Sequence, residues 1–214
     1  MHPLVAREIT FEYGRSDRTV LDSWSADFPA GSMTGITGPS GTGKSTLLYL
    51  LGLMLKPTTG QVSVDGVPVT HLHDAGRARL RADTFGFVFQ DAALDATRTV
   101  LDNVTEVALY RGQKRADLAG RARELLERFG VDVPAHRKPG QVSGGQAQRI
   151  ALCRALLSEP SIILADEPTG NLDPATSRMV VHALRDRAAA GATVIVVTHD
   201  PAVAEACDLE MRLG

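Results

Sequence analysis

Cysteine is scarce: Cys153 and Cys207 stand apart, with no CxxC and no metal-ligand spacing. That excludes a zinc module, and their apolar, helical-looking flanks read as buried thiols in a reducing compartment. Charge of one sign is not in excess. The chain carries 23 Lys and Arg against 25 Asp and Glu, a formal net charge of −2, which excludes a global field for nucleic acid and an acidic tail. Long apolar runs are missing too: the longest, LLYLLGLML from Leu47 to Leu55, is about half of the roughly 20 residues a membrane-spanning helix needs. It is expected as a buried helix. The opening MHPLVAREITFEY has no basic stretch leading into an apolar one, so it does not read as a secretion signal, and the chain is expected in the cytoplasm. No repeat and no low-complexity linker interrupts the 214 residues, a length that suits a single domain with an ample core.

What is present is two kinds of sheet signal. Residues 5–13 alternate, with Val5, Ile9, Phe11 and Tyr13 on one face and Glu8, Thr10 and Glu12 on the other, as in a half-buried antiparallel strand. TVLDSWSADF and GQVSVDG read as further strands of that sheet, with Gly60 and Gly66 as turns. By contrast, SIILAD and ATVIVVTHD are nearly continuous β-branched runs, the appearance of parallel strands covered on both faces. Between Gln90 and Ser158 the pattern is helical: Leu118, Ala122, Leu125, Leu126 and Phe129 recur at helical spacing, and Gly130 follows as a stop. The order of elements predicts a two-lobed α/β protein.

Chemistry concentrates at three places. GPSGTGKS matches GxxxxGK[ST] with Gly38, Gly43, Lys44 and Ser45, between the strand SMTGIT and the helix STLLYLLGLML. In that context backbone N–H groups and the helix N-terminus surround phosphate oxygens, Lys44 reaches the β and γ phosphates, and the Ser45 hydroxyl ligates Mg²⁺. In IILADEP, Asp166 at a strand end can hold the magnesium shell, and Glu167 is placed to polarise a water attacking the γ-phosphate. An acidic turn before Pro168 would look the same in isolation. Finally, VSGGQAQR, from Val142 to Arg149, sets two glycines behind a serine at a helix start, a place that presents N–H groups to an anion.

Taken in order, Tyr13, the glycine loop, FVFQ ending at Gln90, VSGGQ, ILADEP, NLD with Asp173 and THD with His199 resemble the nucleotide-binding subunit of the ATP-binding cassette (ABC) family over nearly the whole chain. The resemblance implies a P-loop NTPase core with a parallel sheet, an N-terminal antiparallel β-subdomain and an α-helical signature subdomain. It implies one domain over 1–214, with the core in 1–90 and 159–214 and the helical part at about 91–158. It also implies ATP and Mg²⁺ as cofactors and an ATPase that dimerises head to tail, each signature closing the ATP of its partner. Gly38, Ser40, Gly41, Gly43, Lys44, Ser45 and Thr46 would then hold phosphates, and Tyr13 would stack on adenine. Ser143, Gly144, Gly145 and Gln146 would meet the partner's γ-phosphate, and Asp173 would order the interface. Glu167 would be the base, Gln90 would sense metal and water, and His199 would contact the γ-phosphate; Ser45, Gln90 and Asp166 would form the metal set.

LADEPTGNLD in a short chain resembles the branch serving lipoprotein release, macrolide-type export and cell division. The expected partners are a second such subunit, most simply an identical one, and a separately encoded permease-like membrane subunit, with no nucleic acid. The expected location is cytoplasmic, peripheral on the inner face of the cell membrane. Three departures stand out: Val142 replaces the usual leucine of the signature, and Asp95 and Arg98 stand where relatives often carry apolar residues. The last two fall in the segment that, in the family, helps form a groove for the membrane partner. A non-transport reading also stays open, either an ATPase signalling to an envelope enzyme or one working in a soluble complex. The basic stretch Arg77, Arg79 and Arg81 reads as a solvated face, and His71 and His73 read as solvated, because no further ligands cluster there.

Overall fold

The computed structural model describes residues 4–14, 19–170 and 172–214. In chain order the elements are β1 (Leu4–Glu12), β2 (Thr19–Phe28), β3 (Met33–Thr37), α1 (Lys44–Leu51), β4 (Thr59–Val64), β5 (Val67–Pro68), α2 (Asp74–Thr84) and β6 (Phe85–Val88). The helices α3 (Val100–Val104), α4 (Val107–Arg111), α5 (Arg115–Arg128) and α6 (Gly144–Leu156) follow. The chain closes with β7 (Ile162–Asp166), α7 (Pro174–Ala189), β8 (Thr193–Val197), α8 (Pro201–Glu205) and β9 (Leu209–Arg212).

Two sheets result. One is antiparallel in the order β2-β1-β4-β5, and the other is parallel in the order β6-β7-β8-β3-β9. The strands SIILAD and ATVIVVTHD announce the second sheet, because every residue of β7 and β8 is buried. Period-two alternation then sorts their side chains. Ile162, Leu164, Ile195 and Val197 pack with Leu47, Leu48, Leu50 and Leu51 of α1 and with Leu4, Ile9 and Phe28 of the antiparallel sheet. Ile163, Ala165, Val194 and Val196 pack on the other face against Ile150, Leu152 and Leu156 of α6 and Val180 and Leu184 of α7. The parallel sheet is thus the middle layer, and its carboxyl edge presents the loops after β3, β7 and β8 side by side.

Several local details differ from the sequence pattern. The buried face of β1 is Leu4, Ala6, Ile9 and Phe11, while Val5 is only half-buried. The register shifts between Ala6 and Ile9, where Glu8 has φ 50°, so a bulge inverts the alternation partway along the strand. Gly60 is not a turn but a residue of β4 opposite that bulge, with φ +84°, and a Cβ there would lie 2.3 Å from the Glu8 carbonyl oxygen. The apolar run from Leu47 is helical only to Leu51: the ring of Phe87 packs flush against Gly52, and Leu53 turns the chain with φ 58°. Farther on, α5 buries Ala122 and Leu126, and Gly130 ends it by donating to the Glu127 carbonyl at 2.9 Å. Cys153 is fully buried in α6, its thiol pushed up to about 12 by burial, whereas Cys207 is half-buried in the turn after α8.

Candidate functional site

The phosphate-type loop spans Gly38 to Gly43, between the end of β3 and the first turn of α1. Its first glycine has φ +142°, and a Cβ there would fall 2.1 Å from the Leu213 carbonyl oxygen, so no other residue fits beneath the loop. The Lys44 ammonium folds across the loop and donates to the carbonyls of Gly38 and Pro39 at 2.8 and 2.7 Å. Thr46 shares a hydrogen bond of 3.0 Å with the hydroxyl of Tyr13. The Tyr13 ring stands edge to face with Phe11 and is 51% exposed, which leaves it free to meet a planar ligand at the mouth of the loop.

Opposite the loop lie two adjacent carboxylates in different environments. Asp166 is 2% exposed, and its Oδ1 is buried without a hydrogen-bond partner among the described residues. Burial raises its pKa above the usual carboxylate range and the Glu167 charge adds to the shift, while the hydroxyls of Ser45 and Tyr49 and the Lys44 charge pull it down. A buried carboxylate with one unpartnered oxygen, lining the same cleft as Ser45, is a donor set that suits a hard divalent cation or its water shell. Glu167 sits in the left-handed region with φ 46°, held by a bond from its own N–H to the Val197 carbonyl at 2.9 Å. Its Oε1 lies 2.7 Å from Nδ1 of His199, and its Oε2 accepts from the Thr198 hydroxyl and the His199 N–H, both at 3.4 Å. The loop after β8 therefore aims the carboxylate that follows β7.

These groups share one cleft of about 770 Å³, lined by Tyr13, Ser40, Gly41, Gly43, Lys44, Ser45, Thr46, Gln90, Asp166, Glu167 and His199. Such a volume accommodates a nucleotide. Thr42, a variable position of the glycine loop, also lines it, as do Thr19, Val20, Val197 and Gly214, which the sequence does not single out because residues of these types carry no motif of their own. Gln148, missed as well, is a buried side chain of α6 that donates to the Phe89 carbonyl at 3.0 Å and so ties the helix behind VSGGQ to the segment ending in Gln90.

The remaining predicted residues do not line the cleft. Ser143 caps α6: its hydroxyl oxygen accepts from the Gln146 N–H at 3.2 Å, and the Gln146 side chain accepts from the Ser143 N–H at 2.9 Å. The exposed Ser143 and Gly144 and the half-buried Gly145 thus open a helix N-terminus away from the cleft of the same chain. A Cβ on Gly145 would touch Leu172 at 3.6 Å, which places Asp173 close by. Asp173 caps α7 by accepting from the N–H groups of Ala175 and Thr176 and from the Thr176 hydroxyl, contacts that hold its carboxyl below the usual range, the hydroxyl foremost. Asn171 of the NLD motif lies outside the described residues.

A second cavity, about 420 Å³, opens beyond Gln90 and is lined by Phe85, Phe87, Phe89, Met54, Val107, Glu106, Tyr110 and Arg154 among others. The unusual Asp95 and Arg98 brace its wall rather than its floor. Arg98 pairs with Asp95 at 3.0 Å and with Glu106 at 3.2 Å, and the fully buried Asn103 staples the same loop through the Asp95 backbone. On α2, Arg79 pairs with Asp83 at the surface, as a solvated face would, but Arg81 reaches inward to the Leu53 carbonyl at 2.7 Å.

The sequence pattern of the family described as ABC transporter matches residues 21–170. The lipoprotein-releasing system ATP-binding protein LolD of Chromohalobacter salexigens is 41% identical over 204 residues, covering 95% of this chain and 86% of that one. The macrolide export ATP-binding/permease protein MacB of Hyphomonas neptunium is 42% identical over 205 residues, which cover 94% of this chain and only 32% of the relative. Among solved structures, the dimeric bacterial ABC transporter cassette MJ0796 superimposes with a TM-score of 0.91 at 35% identity, covering 98% of this chain and 94% of that one. A post-hydrolysis dimer of the same cassette with ADP and Pi gives 0.89 at 34% identity.

Proposed function

The chain belongs to the ABC transporter family and is an ATP-binding, ATP-hydrolysing cassette, and from that premise we propose that two copies close head to tail around two ATP and drive a separate permease-like membrane subunit. One observation carries the assignment of residues: the phosphate loop, both carboxylates, Gln90 and His199 meet in a single cleft although they come from four distant stretches of chain.

The loop N–H groups and Lys44 bind and orient the phosphates, and Tyr13 receives the base. Ser45 and Asp166, with Gln90, would hold Mg²⁺, which supplies charge neutralisation on the phosphate oxygens. Glu167 orients a water and takes its proton as the oxygen attacks γ-phosphorus, the bond to the β,γ-bridging oxygen breaks and ADP leaves with the electron pair; His199 fixes that carboxylate through the 2.7 Å contact and is exposed in the cleft. Ser143, Gly144, Gly145 and Gln146 lie outside the cleft of their own chain and serve the ATP of the partner, with Asp173 ordering the contact between copies. The helical stretch of about 91–158 carries that signature as a unit on the core formed by 1–90 and 159–214.

The groove beyond Gln90 is the proposed seat of the membrane partner. No helix among the described residues is long and apolar enough to cross a membrane, and relatives named as ATP-binding proteins of a lipoprotein-releasing system suit a cassette held at the inner face of a membrane by another polypeptide. The test is to purify the Glu167→Gln form with ATP from gently solubilised membranes. A co-purifying multi-span protein is expected, with turnover of the variant at least a hundredfold below wild type, the scale of losing a general base. Only soluble proteins or nucleic acid in the eluate would overturn the membrane assignment, and wild-type turnover would overturn the base.

A further inference from the structure

Behind the nucleotide cleft lies a further cavity of about 760 Å³, between α7 and α8, and Glu167 and His199 stand in the walls of both spaces. Their side chains, 2.7 Å apart, form the partition between the two. The partition is unequal: the Glu167 side chain is 11% exposed, whereas the imidazole is 74% exposed and can turn about its own bonds without disturbing the packing. From there the groove runs along one face of α7, where Arg178, His182 and Arg185 recur at i, i+4 and i+7 over about 10 Å of helix axis. Neither Arg178 nor Arg185 has an ion pair or a hydrogen bond among the described residues. The carboxylates of the groove are engaged elsewhere, Glu167 with His199 and Asp200 with the Ala202 N–H at 2.9 Å. Its open hydrogen-bonding groups are therefore cationic donors.

We infer that this groove is the exit path of the inorganic phosphate made at Glu167. The inference rests on the reading above of a hydrolysing, head-to-tail dimer. In that dimer the partner's signature covers the open side of the cleft and ADP stays on the phosphate loop, so the side closed by His199 is the one left for Pi. When the imidazole turns aside, Pi meets Arg178 and then Arg185, whose planar guanidinium groups match phosphate oxygens with paired donors. Both arginines are exposed, so water weakens each contact and neither becomes a trap. Pi departs by this path before the two copies separate. A merely solvated face would leave Pi release indifferent to these residues.

The experiment follows one turnover of the full chain with ATP and Mg²⁺ by three signals: acid quench for bond cleavage, a fluorescent phosphate-binding protein for free Pi, and energy transfer between labelled copies for dimer opening. Wild type is compared with Arg178→Glu/Arg185→Glu, with Arg178→Lys/Arg185→Lys, and with Arg185→Glu alone, which lies about three turns beyond Asp173 and decides the matter where the reversed pair fails to fold. In wild type, free Pi is expected to precede opening. Cleavage should be unchanged throughout, while the delay from cleavage to free Pi lengthens about tenfold in the reversed pair, by a smaller factor in Arg185→Glu, and stays near wild type in the lysine pair. Equal delays in wild-type and reversed forms overturn the exit path, as does free Pi that appears only on opening. Slower cleavage in a reversed form overturns it as well, because it would mark a residue that supports the fold or the catalytic site. Absence of cleavage in wild type would overturn the reading of the cleft itself, and absence of energy transfer on adding ATP would overturn the dimer; the exit path falls with either.

Discussion

Asp166 and Glu167 are neighbours in sequence, but burial and partners give them opposite tasks. Glu167 keeps a hydrogen-bonded carboxylate at the cleft surface, whereas Asp166 holds an oxygen in the interior with no partner among the described residues. A buried, unpaired carboxylate oxygen opposes folding, and such sites are where stability is traded for function. Asp166→Asn is therefore expected to raise the melting temperature in the absence of nucleotide and metal while abolishing ATP turnover, both readable in one thermal-shift and phosphate-release series. A lower melting temperature would mean that the charged form is stabilised by contacts the isolated chain already makes.

At the level of elements, α6 begins with a reciprocal cap whose atoms are also those proposed to face a partner's phosphate. The two duties separate by substitution. Ser143→Ala loses both and should cost about 1 kcal/mol in urea unfolding. Ser143→Asn keeps a capping acceptor, so its stability should stay within a few tenths of a kcal/mol of wild type, yet ATPase activity should fall in both because the exposed hydroxyl is gone. The bulge in β1 teaches a related lesson. The alternation of residues 5–13 has the correct period but cannot show that Glu8 takes φ 50° and flips the parity, because that depends on Gly60 from another strand lying opposite.

At the scale of the whole molecule, one chain holds the phosphate loop and the signature on separate surfaces, so activity belongs to pairs. Lys44→Ala and Gly144→Asp should each be inactive alone. Mixed, they form dimers with one site built from an intact loop on one copy and an intact signature on the other, and ATP turnover should return in the mixture. No recovery at concentrations where wild type dimerises would place the signature in service of its own chain.

The sequence by itself determined the parallel strands, the glycine loop, the acidic pair and the signature, because these depend on local chemistry: β-branched runs, backbone that only glycine can adopt, and charges at strand ends. Spacing also sufficed to place α5 and its stop at Gly130. Only the tertiary structure decided how these parts act together. It set Glu167 against His199 at 2.7 Å, brought Thr19, Val20 and Gly214 into the cleft wall, and turned Asp95 and Arg98 into braces for the groove instead of its lining. The contacts that build the cleft join residues far apart in the chain, and the distance between two such side chains is a property of the packed layers that no local pattern encodes.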